Sequence, residues 1–237
     1  MTIICYPSDE EKKQLVQRPA VDLSALRKVV DDVLADIKAG VKEYEEHFDH
    51  VALADLSVAE TEFSEAEHAL ADDLKAAIRQ AYDNIRTFHA AQRHDLPKVE
   101  TCKGVTCWQK RVPIERVGLY VPGGTAPLFS TVLMLATPAS LAGCREVVLC
   151  TPPNREGRVH PAILYAARIA GVSRIFKAGG VQAIGAMAYG TATIPQVYKI
   201  FGPGNRYVMA AKQTVSQEGV AIDMPAGPSE VCVIADD

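Results

Sequence analysis

The sequence has no concentration of positive charge. Its 25 lysine and arginine residues stand against 29 aspartate and glutamate residues, which gives a formal net charge of -4 at pH 7, and they form no basic run. Proteins that bind a phosphate backbone normally present a concentrated positive surface. We therefore do not expect nucleic acid to be a partner.

Long apolar stretches are also absent. No segment reaches the roughly 20 apolar residues that a membrane-spanning helix needs. The first seven residues lack the basic start and the apolar core of a signal peptide. We expect a cytoplasmic protein with no membrane partner.

Cysteine is scarce, with six residues in a chain of 237. Four residues separate Cys102 from Cys107 and five separate Cys144 from Cys150, so neither pair has the CxxC spacing of redox and zinc sites. We interpret all six as reduced, structural thiols. Internal repeats and low-complexity segments are missing as well, whereas the 48% of apolar residues suffices for a packed core.

Helical periodicity is present over the first hundred residues. Ser8 can cap one helix, and apolar residues at three- and four-residue spacing predict a second helix from Leu23 to Ile37. A third, long helix is predicted to begin at the capping box Ser64–Glu67. Its apolar stripe should face the core. This stripe consists of Leu70, Leu74, Ile78, Ala81, Ile85 and Phe88.

After a polar, strand-like stretch from Val99 to Pro113, short apolar runs alternate with helical segments. Runs of four or five residues suit strands that are buried on both faces of a parallel sheet. We predict an α/β fold, with an N-terminal helical segment followed by a doubly wound, Rossmann-like parallel sheet unit. The predicted strands are Val117–Val121, Glu146–Cys150, Arg174–Lys177, Val197–Phe201 and Val231–Ala235, and the predicted crossover helices are Pro127–Ala142, His160–Ala170, Val181–Tyr189 and Asn205–Ser216.

Glycine-rich loops follow three of the predicted strands. They begin at Gly123-Gly124, at Gly179-Gly180 and at Gly202-Pro203-Gly204. At the carboxyl ends of parallel strands, glycine lets backbone donors and helix N-termini come close to an anionic ligand. None of the loops is a G-x-G-x-x-G or Walker A motif, so the prediction of an anion site depends on their agreement.

Three polar side chains stand beside these glycines and can contact a ligand. Tyr120 offers an aromatic surface and a hydroxyl, and Gln182 and Asn205 offer amides. Each has a purely structural alternative: a tyrosine at the edge of the core, a helix cap and the N-cap of the next helix, respectively. The residues alone leave both interpretations open.

The histidines are less informative than the glycines. His47 and His50 lie one helical turn apart with Glu46 and Asp49 nearby, but without a third ligand we interpret them as a solvated helix face. His160 is expected to begin a helix.

Several segments together resemble the histidinol dehydrogenase family, and the resemblance spans nearly the whole chain. The final segment is close to a family signature and is more specific than any glycine loop. The segments are Gln14–Ala20, Val117–Gly124, Pro127–Met134, Gly179–Ile184, Lys199–Asn205 and Ile222–Glu230.

The resemblance implies a zinc-dependent homodimer that uses NAD to oxidise L-histidinol to L-histidine through the aldehyde. Tyr120, Gln182 and Asn205 match positions that contact NAD in the family, and Ser229 matches one that contacts substrate. The family's zinc ligands and its Glu-His general base follow the signature and lie beyond Asp237. We therefore expect no catalytic and no metal-binding residue in this chain, which alone should be inactive.

The resemblance also implies a domain division. Residues 1–116 would be a helical N-terminal segment of a larger domain, residues 117–229 the Rossmann-like NAD-binding domain, and residues 230–237 the first strand that re-enters the larger domain. Two alternatives remain. The protein could be a related zinc-dependent dehydrogenase of another alcohol, such as a sulfonated diol, or a non-catalytic NAD-binding fragment.

Overall fold

The computed structural model describes residues 8, 10, 32–34, 51, 53–93, 96–123 and 126–224. The helices of this part are α1 (Glu60–Ala69), α2 (Asp72–Ala90), α3 (Phe129–Ala142), α4 (Pro161–Ile169), α5 (Gly180–Tyr189) and α6 (Arg206–Gln217). Its strands are β1 (Val99–Cys102), β2 (Val105–Cys107), β3 (Arg116–Tyr120), β4 (Glu146–Thr151), β5 (Arg174–Lys177), β6 (Lys199–Phe201) and β7 (Ala221–Ile222).

Five of these strands form a parallel sheet in the order β5-β4-β3-β6-β7. The chain starts in the middle at β3, moves outward to β5, and then returns to place β6 on the other side of β3. This is the strand order of a doubly wound unit. The predicted fold class is confirmed, and the four crossover helices and the first four strands lie within two residues of their predicted bounds.

The sheet is buried on both faces because consecutive strand residues point to opposite sides. In β4, Val147 and Leu149 pack with α3 and α4, whereas Val148 and Cys150 pack with α5 and α6. All four residues are at most 2% exposed. The continuous apolar runs of the sequence are explained by this double burial.

The predicted third helix is wrong in its extent. It consists of two helices, because Leu70 and Ala71 adopt extended backbone between α1 and α2. The first begins before Ser64, where the Glu62 carboxylate accepts a hydrogen bond from the Ala59 N–H at 3.1 Å. Ser64 lies inside α1.

The apolar stripe of the predicted third helix is only partly a core face. Ile78 is 1% exposed, and Leu74, Ala81 and Ile85 pack against the same core, but Phe88 is 65% exposed. Helix α2 packs on α3 and α1 packs on α4. These two helices therefore form an additional layer outside one face of the sheet.

The outer edge of β5 is covered by residues 56–58, an interaction that the sequence analysis did not predict. The Lys177 N–H donates to the Leu56 carbonyl at 2.7 Å, and the Val58 N–H donates to the Ile175 carbonyl at 3.0 Å. Strands β1 and β2 form a separate antiparallel hairpin with exposed residues in the strand-like stretch after Pro97.

The fifth described strand of the parallel sheet was not predicted from the sequence. Ala221–Ile222 pairs with β6 in this position, while Val231–Ala235 lies outside the described residues. The predicted first helix and most of the second do so as well, although residues 32–34 are helical. The domain division at 116/117 and 229/230 stays a prediction. In the described part of the chain, no helix combines the length and apolar character needed to cross a membrane.

Candidate functional site

The point where the strand order reverses lies between β3 and β6. The two strands pair in parallel, with Gly118 beside Ile200 and Leu119 beside Phe201. The loops that follow them leave the same edge of the sheet and run in opposite directions, to α3 and to α6. In open parallel sheets this divergence creates the crevice that binds ligands.

The backbones of the two loops approach each other closely at Gly202. A Cβ atom on this residue would lie 2.0 Å from the Tyr120 carbonyl oxygen, and its φ is +131°. Both facts require glycine here. The glycine loop after β6 is thereby pressed against the end of β3.

Tyr120 is 3% exposed and packs in the core on the α5 and α6 side. Its hydroxyl accepts a hydrogen bond from the Gly180 N–H at 3.0 Å. The side chain therefore links the end of β3 to the first residue of α5, which agrees with the structural alternative of a tyrosine at the edge of the core. The bond also brings the first and the third of the predicted strand ends together.

Gln182 lies in the first turn of α5 and is 2% exposed. Its Oε1 atom lies 2.9 Å from the position that a Cβ on Gly180 would occupy. The amide is thus folded back over the N-terminus of the helix and the Gly179-Gly180 turn. A substituted residue at 180 would have to displace it.

Asn205 is the N-cap of α6. Its Oδ1 atom accepts hydrogen bonds from the N–H groups of Tyr207 and Val208 at 3.0 and 3.1 Å. The predicted capping role is therefore confirmed. The residue remains exposed at the rim of the crevice. The cap uses only its Oδ1 atom, so the amide nitrogen takes no part in capping.

Lys212 and Asp223 were missed as a functional pair. Lys212 is 5% exposed; it pairs with the Asp223 carboxylate and donates to the Gly202 carbonyl at 2.9 Å. The second Asp223 oxygen accepts from the Gly202 N–H at 2.8 Å. The sequence could have indicated a buried lysine, because Lys212 occupies the apolar stripe of α6 between Val208 and Val215.

Two predicted parts of the site lie outside the described residues. These are Ser229, the substrate-contacting candidate, and Gly124, the second glycine of the first loop. Gly123 is described; a Cβ there would lie 2.6 Å from a Pro152 side-chain carbon, so this loop packs against the one that follows β4.

Other candidate sites are weaker. The described residues contain no group of three His, Cys, Asp or Glu side chains that could hold a metal ion, while His47 and His50 lie outside them. His160 begins α4 as predicted, with its Nδ1 accepting from the Ala162 N–H at 3.2 Å. A groove of about 1190 Å³ between α2 and α3 has an apolar lining with Arg86, Arg93 and Arg111, and the described residues of this lining include no carboxylate or histidine.

The four described cysteines are thiols and not parts of a disulfide. Cys102 and Cys107 are exposed on the hairpin, and Cys150 is buried in β4. Burial raises the pKa of the Cys144 thiol, although hydrogen bonds with the backbone at Ile114 and Cys144 oppose this shift. A thiol with a raised pKa is a poor nucleophile at neutral pH, which agrees with a structural role.

Comparison with known proteins identifies close relatives. The chain is 61% identical over 240 residues to histidinol dehydrogenase of Bacteroides thetaiotaomicron and 51% identical over 234 residues to that of Escherichia coli. These alignments cover 100% and 96% of this chain but only 56% and 53% of the relatives. The chain therefore spans about half the length of the curated relatives it matches.

A solved structure has the same fold. The crystal structure of histidinol dehydrogenase from Elizabethkingia anophelis superposes with a TM-score of 0.89 at 50% sequence identity, over 94% of this chain and 52% of that one. The model of the histidinol dehydrogenase family matches residues 16–237. The reversal of strand order, the glycine loops and these matches lead to one conclusion: this chain belongs to the histidinol dehydrogenase family.

Proposed function

We propose that the protein oxidises L-histidinol to L-histidine through L-histidinaldehyde, with NAD as the oxidant, and that this chain supplies the NAD-binding portion. The proposal includes a homodimer and a cytoplasmic location, where free thiols such as those of Cys102 and Cys107 persist. Its support is membership of the family and the function in the names of relatives at 61% and 60% identity.

The observation that carries the NAD part of the proposal is the contact between Gly202 and Tyr120 at the reversal of strand order. A Cβ on Gly202 would clash with the Tyr120 carbonyl oxygen, 2.0 Å away, so the loop after β6 lies directly against the end of β3. The crevice at these strand ends has glycine backbone at its edge and the N-termini of α5 and α6 beside it, an arrangement that favours a phosphate. These features fit a dinucleotide.

The proposed roles of the side chains follow from their positions. Asn205, exposed at the N-terminus of α6, contacts NAD directly through its amide. Gln182 contacts it from the first turn of α5, and Tyr120 fixes the start of that helix through Gly180 and contributes to the cofactor site. Ser229 is proposed to contact the substrate.

When bound, NAD accepts a hydride in each of the two oxidations. The part played by this chain is to hold the cofactor: the N-termini of α5 and α6 present the positive ends of their helix dipoles to its phosphates, and the glycine loops keep side chains out of the contact. Zinc, which the family implies, finds no group of three suitable ligands among the described residues.

Turnover by the full-length protein tests the overall reaction. With NAD and L-histidinol we expect NADH to form in two equivalents for each histidine produced. A sulfonated diol serves as the competing substrate. NADH from that diol and none from L-histidinol would establish the alternative dehydrogenase and overturn this proposal. NAD binding without turnover of any alcohol would establish a non-catalytic binding protein.

Calorimetry of NAD against the 237-residue chain tests the assignment of residues. We expect weak binding that is lost in Asn205→Ala and Gln182→Ala. Gln196→Ala is the matched control, because its amide donates to the Ala188 carbonyl at 2.9 Å and lies before β6 rather than after it. Binding that is unchanged in Asn205→Ala and Gln182→Ala contradicts the site.

A further inference from the structure

Gly202, in the loop after β6, has no side chain that limits its backbone conformation. Gly202 has a φ of +131°, and glycine populates many alternative conformations before the chain reaches Pro203 and Gly204. A flexible loop at the ligand crevice would have to become ordered whenever a ligand binds, which lowers affinity. The structure must therefore hold this loop by contacts from elsewhere.

One ion pair makes these contacts. Asp223 accepts the Gly202 N–H and Lys212 donates to the Gly202 carbonyl, at 2.8 and 2.9 Å, while the two side chains pair with each other. The N–H and the carbonyl of Gly202 are thus held by two side chains of opposite charge. Gly202 cannot rotate about φ or ψ without breaking at least one charge-assisted hydrogen bond.

The positions of the two charges are themselves fixed by the fold. Asp223 follows β7, and its N–H donates to the Ile200 carbonyl at 3.2 Å. The pairing of β7 with β6 therefore fixes the position of Asp223 beside the loop. Lys212 lies two turns into α6, the helix that the loop begins. The ion pair therefore joins the end of β6, its crossover helix and the next strand into one closed unit.

We propose that Lys212 and Asp223 are positioning residues for the NAD site: together they hold the loop from Gly202 to Asn205 in the conformation that binds the nucleotide. This inference rests on the proposed function. The Lys212 ammonium is bonded to the Gly202 carbonyl and to the Asp223 carboxylate, so it acts on the loop and not on the ligand. The pair preorganises the N-terminus of α6, including Asn205.

The test compares Lys212→Met, Asp223→Asn and the double variant in the full-length protein. Each single change is expected to raise the Kd and the KM for NAD about tenfold, with little change in kcat at saturating NAD. The double variant should bind NAD no more weakly than the single variant with the higher Kd. The two charges act as one unit, and removing both leaves neither of them buried alone.

Two further measurements separate positioning from general loss of stability. Arg116→Met removes the Arg116–Glu146 pair, 2.5 Å apart at the opposite end of β3; it should lower stability in urea but leave the Kd for NAD unchanged. Amide hydrogen exchange at Gly204 and Asn205 should accelerate in Lys212→Met and not in Arg116→Met.

The outcomes are distinct. Unchanged exchange in Lys212→Met, or faster exchange with an unchanged Kd for NAD, overturns the positioning role. A wild-type protein that does not bind NAD overturns the proposed function and this role with it, while the exchange measurement still decides whether the pair holds the loop. Faster exchange together with weaker NAD binding, absent from Arg116→Met, is the expected result.

Discussion

Gly202 lies so close to Tyr120 that no other residue fits: a Cβ atom there would be 2.0 Å from the Tyr120 carbonyl oxygen and 2.9 Å from its carbonyl carbon. The contact is with backbone in the central strand, which cannot move aside as a flexible side chain can. It joins the two strands at which the order of the sheet reverses.

We expect Gly202→Ala to lower the free energy of unfolding by about 3 kcal/mol, from the combined cost of the clash and of a non-glycine residue at positive φ. Gly219→Ala is the matched control. It has a φ of +101° but nothing within 4 Å of its added Cβ, and should cost about 1 kcal/mol. Urea unfolding measures both; equal losses would contradict the clash.

Tyr120→Phe removes the hydroxyl that accepts from the Gly180 N–H. We expect a loss of about 1–2 kcal/mol in unfolding free energy, together with a higher Kd for NAD because the start of α5 is released. Tyr165→Phe removes a comparable hydroxyl, which accepts from the Arg79 guanidinium at 3.1 Å. It should lower stability while NAD binding stays as in the wild type.

Substitution can separate the two roles of Asn205, as a helix cap and as a contact to NAD. Serine preserves an N-cap, whereas alanine costs about 1 kcal/mol of stability. We expect Asn205→Ser to unfold at the wild-type urea concentration and yet to bind NAD more weakly, because the amide nitrogen is lost. If calorimetry finds wild-type affinity in the serine variant, Asn205 acts only as a cap.

The cysteines should differ in reactivity. Because burial raises the pKa of Cys144, less of it is thiolate at any pH below that pKa, and alkylation slows accordingly. With iodoacetamide at about pH 8, we expect the exposed Cys102 and Cys107 to react before Cys144, and Cys144 to accelerate as the pH rises further. Mass mapping of the modified peptides checks the order. Early labelling of Cys144 would disprove it.

The elements of the sheet were predictable because their signal is local. The strand Glu146–Thr151 contains the apolar run Val147–Cys150, which is buried on both faces of the sheet. Asn205 directly precedes the helix that it caps. The third predicted helix failed for the opposite reason. Its apolar stripe continues through Leu70, whose extended backbone is decided by the packing of α1 on α4 and α2 on α3.

The candidate site was only partly predictable. The glycine loops and the residues beside them could be recognised, but the sequence left Tyr120 equally suited to a ligand contact and to the core. Burial at 3% and the bond to Gly180 came from the folded chain. Ala221–Ile222 illustrates another limit, since this strand beside β6 is too short to stand out as an apolar run in the sequence.

By itself, then, the sequence determined the class of fold, most of the strands and helices, the three glycine loops and the family, since each depends on neighbouring residues or on the similarity of whole segments. Only the tertiary structure decided which strand ends meet, that Gly202 presses on Tyr120, and that Lys212 and Asp223 close around the same residue. These relationships join residues up to 82 positions apart, from Tyr120 to Gly202, and no local pattern of hydrophobicity or charge encodes such a contact.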